Sequence, residues 1–214
     1  MIGVIKVGGS LLDFEAMPAR LRGLIASLPC TKIYVLFGGG LFADGVRRYD
    51  QVHQLGQKTS HWLAIKAMGI SAAVGQTLFP DWPRVDEIEG AENPDRRVCI
   101  FECEKWIRRF SSSLPDSIDF QSWEFTSDSI AALLAMNLKA QYLCLLKSHA
   151  FAGNQQEYNW TAGLDDGRWV DPCFGPVLKH WETTIPQEYR QLQTKIINLR
   201  GTNPMDSRSP LEIE

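Results

Sequence analysis

Lys6 stands two residues before a glycine pair, in the run Val4-Ile5-Lys6-Val7-Gly8-Gly9-Ser10. A strand that runs into a glycine turn and then a helix N-terminus aims backbone N–H groups at phosphate oxygens. Val35-Leu36-Phe37-Gly38-Gly39-Gly40 repeats the arrangement. Two such turns in one small domain suit two phosphate-bearing ligands, and that is what phosphoryl transfer requires. Lys6 itself has two readings. It is either an ammonium group snorkelling from a strand end, or a cation at the carboxyl end of a central strand, neutralising a phosphoryl group in transit. The lysine precedes the glycines and no G-x-x-x-x-G-K-[ST] occurs, so this is not a Walker A loop.

Three glycines in a row at Gly38, Gly39 and Gly40 point to a close backbone approach to something bulky. Asp44 falls in the first turn of the helix that follows, where either the helix dipole or an acceptor accounts for it. Arg47 and Arg48 lie on the same helix as a solvated face, unless one meets an anionic acceptor. Thr126-Ser127-Asp128-Ser129 opens another helix. Asp128 reads as a cap-region charge, or as a carboxylate that holds Lys6 in place. Lys147 and Ser148 end a further apolar run and put a second cation at the edge of the presumed crevice. His53, His61, His149 and His180 lack metal-ligand spacing and a partnered nucleophile, and are read as structural or surface residues. Cys99 and Cys103 lack zinc-ligand spacing with suitable partners.

The elements that must position these groups alternate between strand and helix. Strands are expected over 2–7, 33–37, 98–101, 142–146 and 195–199. Helices are expected over 15–28, after the second glycine turn, over 58–74, and from Thr126 or Ser127 onward. A loop is expected over 80–96, a surface turn over 111–116, and a loop or small hairpin over 152–171. The order implies a mainly parallel α/β sheet with helices on both faces.

The 214 residues suit one domain over 1–200, followed by a tail over 201–214. The net charge of −3 comes with no basic stripe, which argues against nucleic acid as a partner. No run of about 18 apolar residues is present, so no membrane span is expected. The N-terminus enters a strand without a signal-type stretch, so a cytoplasmic location is expected. Five cysteines at irregular spacing fit reduced thiols, with Cys144 buried.

In this order the segments resemble the amino acid kinase superfamily, which includes acetylglutamate, aspartate, uridylate and isopentenyl phosphate kinases. The matching pieces are Lys6 to Ser10, Phe37 to Gly40, Thr126 to Asp128 with its Ala-rich continuation, and Leu145 to Ser148. The resemblance implies a three-layer α/β/α sandwich and a homo-oligomer using ATP and Mg²⁺. Carried over by residue, Lys6 stabilises the transferring phosphoryl group and Asp128 organises the catalytic lysines. Gly8, Gly9 and Ser10 cradle nucleotide phosphates, with Lys147 and Ser148 bordering the nucleotide. Gly38, Gly39, Gly40, Asp44 and Thr126 sit at the acceptor. No metal ligand is assigned.

Within the superfamily, Gly38 to Asp44, Ser60 to Ile65 and Trp123 to Ala132 are similar to the small kinases of methanofuran biosynthesis. That branch moves the γ-phosphate of ATP onto a small phosphorylated acceptor, (aminomethylfuranyl)methyl phosphate, to give a diphosphate. Kinases of isopentenyl phosphate or of an amino-acid carboxylate are the alternatives, together with a nucleotide- or oxyanion-binding protein lacking transfer activity. Two departures stand out. Relatives supply a second catalytic lysine from a late Gly-Gly-Met…Lys segment, whereas Val170 to His180 differs and offers only Lys179. The strand after Lys147 also lacks the usual aspartate-glycine turn.

Overall fold

Nearly continuous apolar runs in three neighbouring strands fix the layering. The computed structural model describes residues 1–88, 96–110, 118–149, 157–159, 169–184, 186 and 192–201. Strands β1 (Ile2–Val7), β2 (Lys32–Phe37) and β5 (Tyr142–Lys147) lie side by side, with β1 in the middle. Val4, Tyr34, Leu36, Leu143 and Leu145 point into one core. Ile5, Val7, Ile33, Val35, Phe37, Cys144 and Leu146 point into the other. A period of two in a strand buried on both faces produces this division.

The full sheet has seven strands in the order β3-β4-β2-β1-β5-β7-β6, adding β3 (Arg84–Val85), β4 (Val98–Phe101), β6 (Glu157–Asn159) and β7 (Gln193–Asn198). Six of the strands run parallel, and β6 closes one edge antiparallel to β7. Helix α1 (Met17–Ser27) covers one face through Met17, Leu21 and Ile25. Helices α5 (Ser127–Asn137), α6 (Phe174–Thr184) and α4 (Glu104–Phe110) contribute to the core on the other. The three-layer sandwich with a mainly parallel sheet is therefore as expected.

Helices α2 (Gly40–His53) and α3 (Gln57–Leu78) pack against each other and follow the second glycine turn. Local differences from the sequence reading have simple causes. The 80–96 loop contains the two-residue edge strand β3, which starts just after Pro83 because an edge tolerates the lost donor. Helix α6 is not among the elements expected from the sequence, and it contains Gly175 and Pro176. Both fall in its first turn, where a missing N–H costs nothing. Residues 89–95, the 111–116 turn, most of the 152–171 loop and the tail beyond 201 lie outside the described residues. All five cysteines are buried free thiols. No helix among the described residues is long and apolar enough to cross a membrane.

Candidate active site

Three adjacent parallel strands deliver their carboxyl ends to one edge of the sheet. After β1 the chain goes to one side to form β2, while β5 lies on the other side, so β1 and β5 flank a point where strand order reverses. Open α/β sheets bind ligands at such a point. The ladders continue into the turns: the Gly8 N–H donates to Leu146 O at 2.9 Å, and the Gly38 N–H donates to Val7 O at 2.9 Å.

The two glycine turns pack directly on each other. A Cβ placed on Gly9 would lie 2.1 Å from the Gly40 nitrogen, and one on Gly40 would lie 2.7 Å from the Gly9 carbonyl carbon. Gly40 also has φ of +50°, in the left-handed region. The bulky object that the glycines approach is thus, in the first instance, the other turn. A side chain at Gly38 would meet Ser127 Oγ at 3.0 Å and Lys6 Cε at 3.5 Å. That contact ties the second turn to the charged centre.

Strand parity explains that centre. Lys6 shares a face with Val4, and Lys147 shares a face with Leu143 and Leu145, which is the side covered by α5. Asp128 lies in the first turn of α5, 4% exposed. Its Oδ1 is 2.9 Å from Lys6 Nζ, and its Oδ2 accepts from Lys147 Nζ at 2.6 Å. Burial opposes the carboxylate charge, but the two ammonium groups prevail and hold Asp128 at about 2. For Lys147, burial and then the charge on Lys6 lower the pKa, against the pull of Asp128. Two cations share one anion here, and the Asp171 carboxylate lies close enough to act on Lys147 as well.

Asp171 was not picked out from the sequence, yet it anchors the start of the helix that carries Asp128. It accepts from the Thr126 N–H at 3.0 Å, from Thr126 Oγ1 at 2.7 Å, from the Ser129 N–H at 3.0 Å and from the Ser129 hydroxyl. It caps α5 from outside, in place of Thr126, whose own side chain makes no cap bond. Burial, then the nearby charge of Asp128, pushes the Asp171 carboxyl upward. Lys179, by contrast, lies on the exposed side of α6 and forms no part of the Lys6–Asp128–Lys147 group.

A cavity of about 240 Å³ opens between the two glycine turns, α2, α3 and the start of α5. Gly9, Ser10, Gly38, Gly39, Gly40, Asp44 and Thr126 all line it, as do Arg47, His61 and Trp123. Asp44 accepts from Arg47 at 2.6 Å, and the Arg47 guanidinium lies 4.9 Å from the Trp123 ring centre. Trp123 Nε1 in turn donates to Asp50 Oδ2 at 3.2 Å. On the β5 side, Ser10 Oγ and Ser148 Oγ are 2.9 Å apart, joining two strand ends. Arg200, also missed in the sequence, donates to Ser10 O at 2.8 Å and pairs with Asp13. A wider groove of about 630 Å³ lies near β3, β4 and α4, but its arginines and lysine are already paired with acids on its wall or, for Arg109, with the adjacent Glu87. Of these two cavities, the smaller is bounded by both glycine turns, while Lys6, Asp128 and Lys147 stand behind those turns and do not line it.

This arrangement of sheet, glycine turns and capped helix is the amino acid kinase fold. The chain superposes on uridylate kinase from Archaeoglobus fulgidus with a TM-score of 0.55 and 14% identity, covering 96% of this chain and 93% of that one. UMP kinase from Ureaplasma parvum gives 0.58 and 12%, covering 98% and 96%. Aspartate kinase from Synechocystis gives 0.52 and 14%, covering 92% of this chain and 40% of that one. No family model matches the chain. In sequence it is 31% identical over 132 residues to [5-(aminomethyl)furan-3-yl]methyl phosphate kinase of Methanocaldococcus jannaschii. The match spans 60% of this chain and 57% of that protein's length.

Proposed function

We propose that this chain is an ATP- and Mg²⁺-dependent kinase. It transfers the γ-phosphoryl group to a small phosphorylated acceptor, [5-(aminomethyl)furan-3-yl]methyl phosphate, and yields the diphosphate. The observation that carries the reading is the pair of ammonium groups on Asp128, set behind two glycine turns. The partial sequence match to the furan phosphate kinase supports the acceptor.

Lys6 and Lys147 neutralise charge on the phosphoryl group as it moves, and Asp128 fixes where both ammonium groups stand. Gly8, Gly9 and Ser10 hold the nucleotide phosphates beside Ser148. Gly38, Gly39, Gly40, Asp44 and Thr126 border the acceptor. An acceptor phosphate oxygen attacks the γ-phosphorus, the bond to the β,γ-bridging oxygen breaks, and ADP leaves. An acceptor oxygen that is already anionic needs no strong base.

Both oxygens of Asp128 are committed to ammonium groups. Mg²⁺ therefore fits this site as an ion carried on the nucleotide phosphates, where it would supply further charge neutralisation. An ATP-driven step of small-molecule synthesis belongs in the cytoplasm.

A homo-oligomer is supported by exposed apolar stripes on two helices. Phe42, Tyr49 and Val52 on α2 are 42%, 63% and 67% exposed, and Ile70, Val74 and Leu78 on α3 are 50%, 36% and 39% exposed. Spacing by three, four or seven residues places such side chains on one face of a helix.

The test is coupled ADP release with ATP, Mg²⁺ and a panel of the furan phosphate, isopentenyl phosphate and aspartate. Turnover confined to the furan phosphate is the expected result. ATP binding by calorimetry without turnover on any acceptor would replace this reading with that of a binding protein.

A further inference from the structure

His61 stands on α3 with its side chain in the cavity wall, and only 2% of the residue is exposed. Its Nδ1 is 3.3 Å from the Ser122 carbonyl oxygen. A carbonyl can only accept, so Nδ1 carries the proton. Burial lowers the imidazole pKa, against smaller opposing effects from the Ser122 carbonyl and Asp119, while Arg108 adds to the lowering. The ring is therefore neutral near pH 7, and Nε2 presents a lone pair. Nε2 has no hydrogen-bond partner among the described residues and is itself enclosed, so a donor from the cavity reaches it only when the side chains around it shift. Trp62, Phe120 and Phe125 pack edge-on around the ring at centroid distances of 5.4, 6.0 and 6.3 Å. They hold its plane and offer no donor of their own at Nε2.

A buried acceptor without a donor is retained where something else supplies the donor. The Ala64 carbonyl lies beside Gly39, and His61 is about one helical turn away along α3. That is the length of a small molecule with its anionic end at the glycine turn. We infer that His61 reads the body of the acceptor: Nε2 accepts a hydrogen bond from an N–H or O–H group at the end remote from the transferring phosphate. The substrate class follows. It is a phosphorylated small molecule bearing an amine or a hydroxyl, and not one with a hydrocarbon tail. A site built to bond a donor rejects an analogue lacking it far more strongly than an apolar pocket rejects an extra group.

This inference rests on the kinase reading, and the experiment separates the two. Acceptor binding is measured by calorimetry, without turnover, for [5-(aminomethyl)furan-3-yl]methyl phosphate, for furan-3-ylmethyl phosphate and for isopentenyl phosphate. The wild-type protein should favour the amine-bearing compound at least about tenfold over the other two. His61→Phe keeps the ring and removes the lone pair. It should erase that preference by weakening the amine-bearing compound alone, with ATP affinity unchanged. His61→Gln, which restores an acceptor oxygen, should recover part of it.

Equal weakening of all three compounds in His61→Phe, or no weakening, would reduce His61 to packing and overturn the inference. Should His61→Phe fail to fold, the ¹⁵N resonance of Nε2 in the wild-type protein decides. An unprotonated nitrogen at pH 7 is required, and a protonated one sinks the idea whatever the acceptor. If ADP release shows another acceptor to be the substrate, the furan assignment fails by itself. The role of His61 then stands or falls on whether that acceptor carries a donor beyond its phosphate.

Discussion

Lys147 Nζ lies 2.6 Å from Asp128 Oδ2, while the other oxygen of the same carboxylate faces Lys6 at 2.9 Å. The two lysines come from adjacent strands and the aspartate from the helix above them. The second cation of the site is thus supplied by β5, at a point where the late segment offers only the exposed Lys179. Three charges in one buried group make its members unequal, and the inequality can be measured.

Asp128→Asn leaves two ammonium groups buried without their anion, so it should destabilise the fold by about 3 kcal/mol. Adding Lys147→Met to that variant should restore part of the loss, because the repulsion with Lys6 disappears. Chemical denaturation of the two single variants and the double variant gives the coupling. Strict additivity would mean that the three charges do not act as one group.

Lys6→Ala and Lys147→Ala each keep one lysine on Asp128, so both should fold. Each should lower kcat by about a hundredfold or more, the scale of losing one preorganised charge at a transferring group. Steady-state ADP release checks this, with ATP affinity measured separately. A Lys147→Ala enzyme with near-normal kcat would return Lys147 to a bystander at the nucleotide edge.

The activity of a site that needs Lys147 charged should decline on the alkaline side below the ordinary lysine value of 10.5, because burial and Lys6 lower the folded-state pKa. The folded state releases this proton before the unfolded state does, so Lys147 makes stability rise with pH over that same interval. Activity and stability should therefore part company in alkali. Lys147→Arg should move the decline upward. Asp128 behaves in the opposite range: its contribution is complete above 3.8 and is lost as pH falls through about 2. Paired pH profiles of kcat and melting temperature test both limbs.

Asp171→Ala should cost about 1–2 kcal/mol by uncapping α5, as helix caps generally do. It should also lower kcat, because Asp128 stands in the same first turn. Thermal melts with kinetics on the same samples measure the two effects together. A melting loss with unchanged kcat would confine Asp171 to structure.

Gly9→Ala should disrupt the contact between the two turns, since its Cβ would fall 2.1 Å from backbone. Gly45→Ala is the control: nothing lies within 4 Å of its added Cβ, and the residue is inside α2. It should be neutral or stabilising by about 0.5–1 kcal/mol. Melting temperatures with and without ATP discriminate the two. Equal tolerance at both positions would mean that the turns do not need their close approach.

Much of this protein was written locally. The apolar runs at residues 2–7, 33–37 and 142–146, the breaks at the glycines and the polar start at Thr126 are set by neighbours in sequence. So are the buried parallel strands, the two turns and the opening of α5. Lys6, Asp128 and Lys147 were visible as charged residues at element ends, because a charge beside an apolar run is conspicuous. Their joining was not visible, since it depends on strand order and on which face α5 covers.

His61 and Asp171 show the remainder. An aspartate after Val170 carries no local signal of function, and His61 stands out in sequence only as part of the resembling segment Ser60 to Ile65, with no role attached to it. The partner of His61 lies 61 positions away at Ser122, and Asp171 reaches Thr126 and Ser129 across 45 and 42 positions. Backbone propensity and patterning act over a few residues, so the sequence by itself determined the elements. Burial, pairing and the orientation of a lone pair arise only when distant segments exclude water together, so the tertiary structure decided the site.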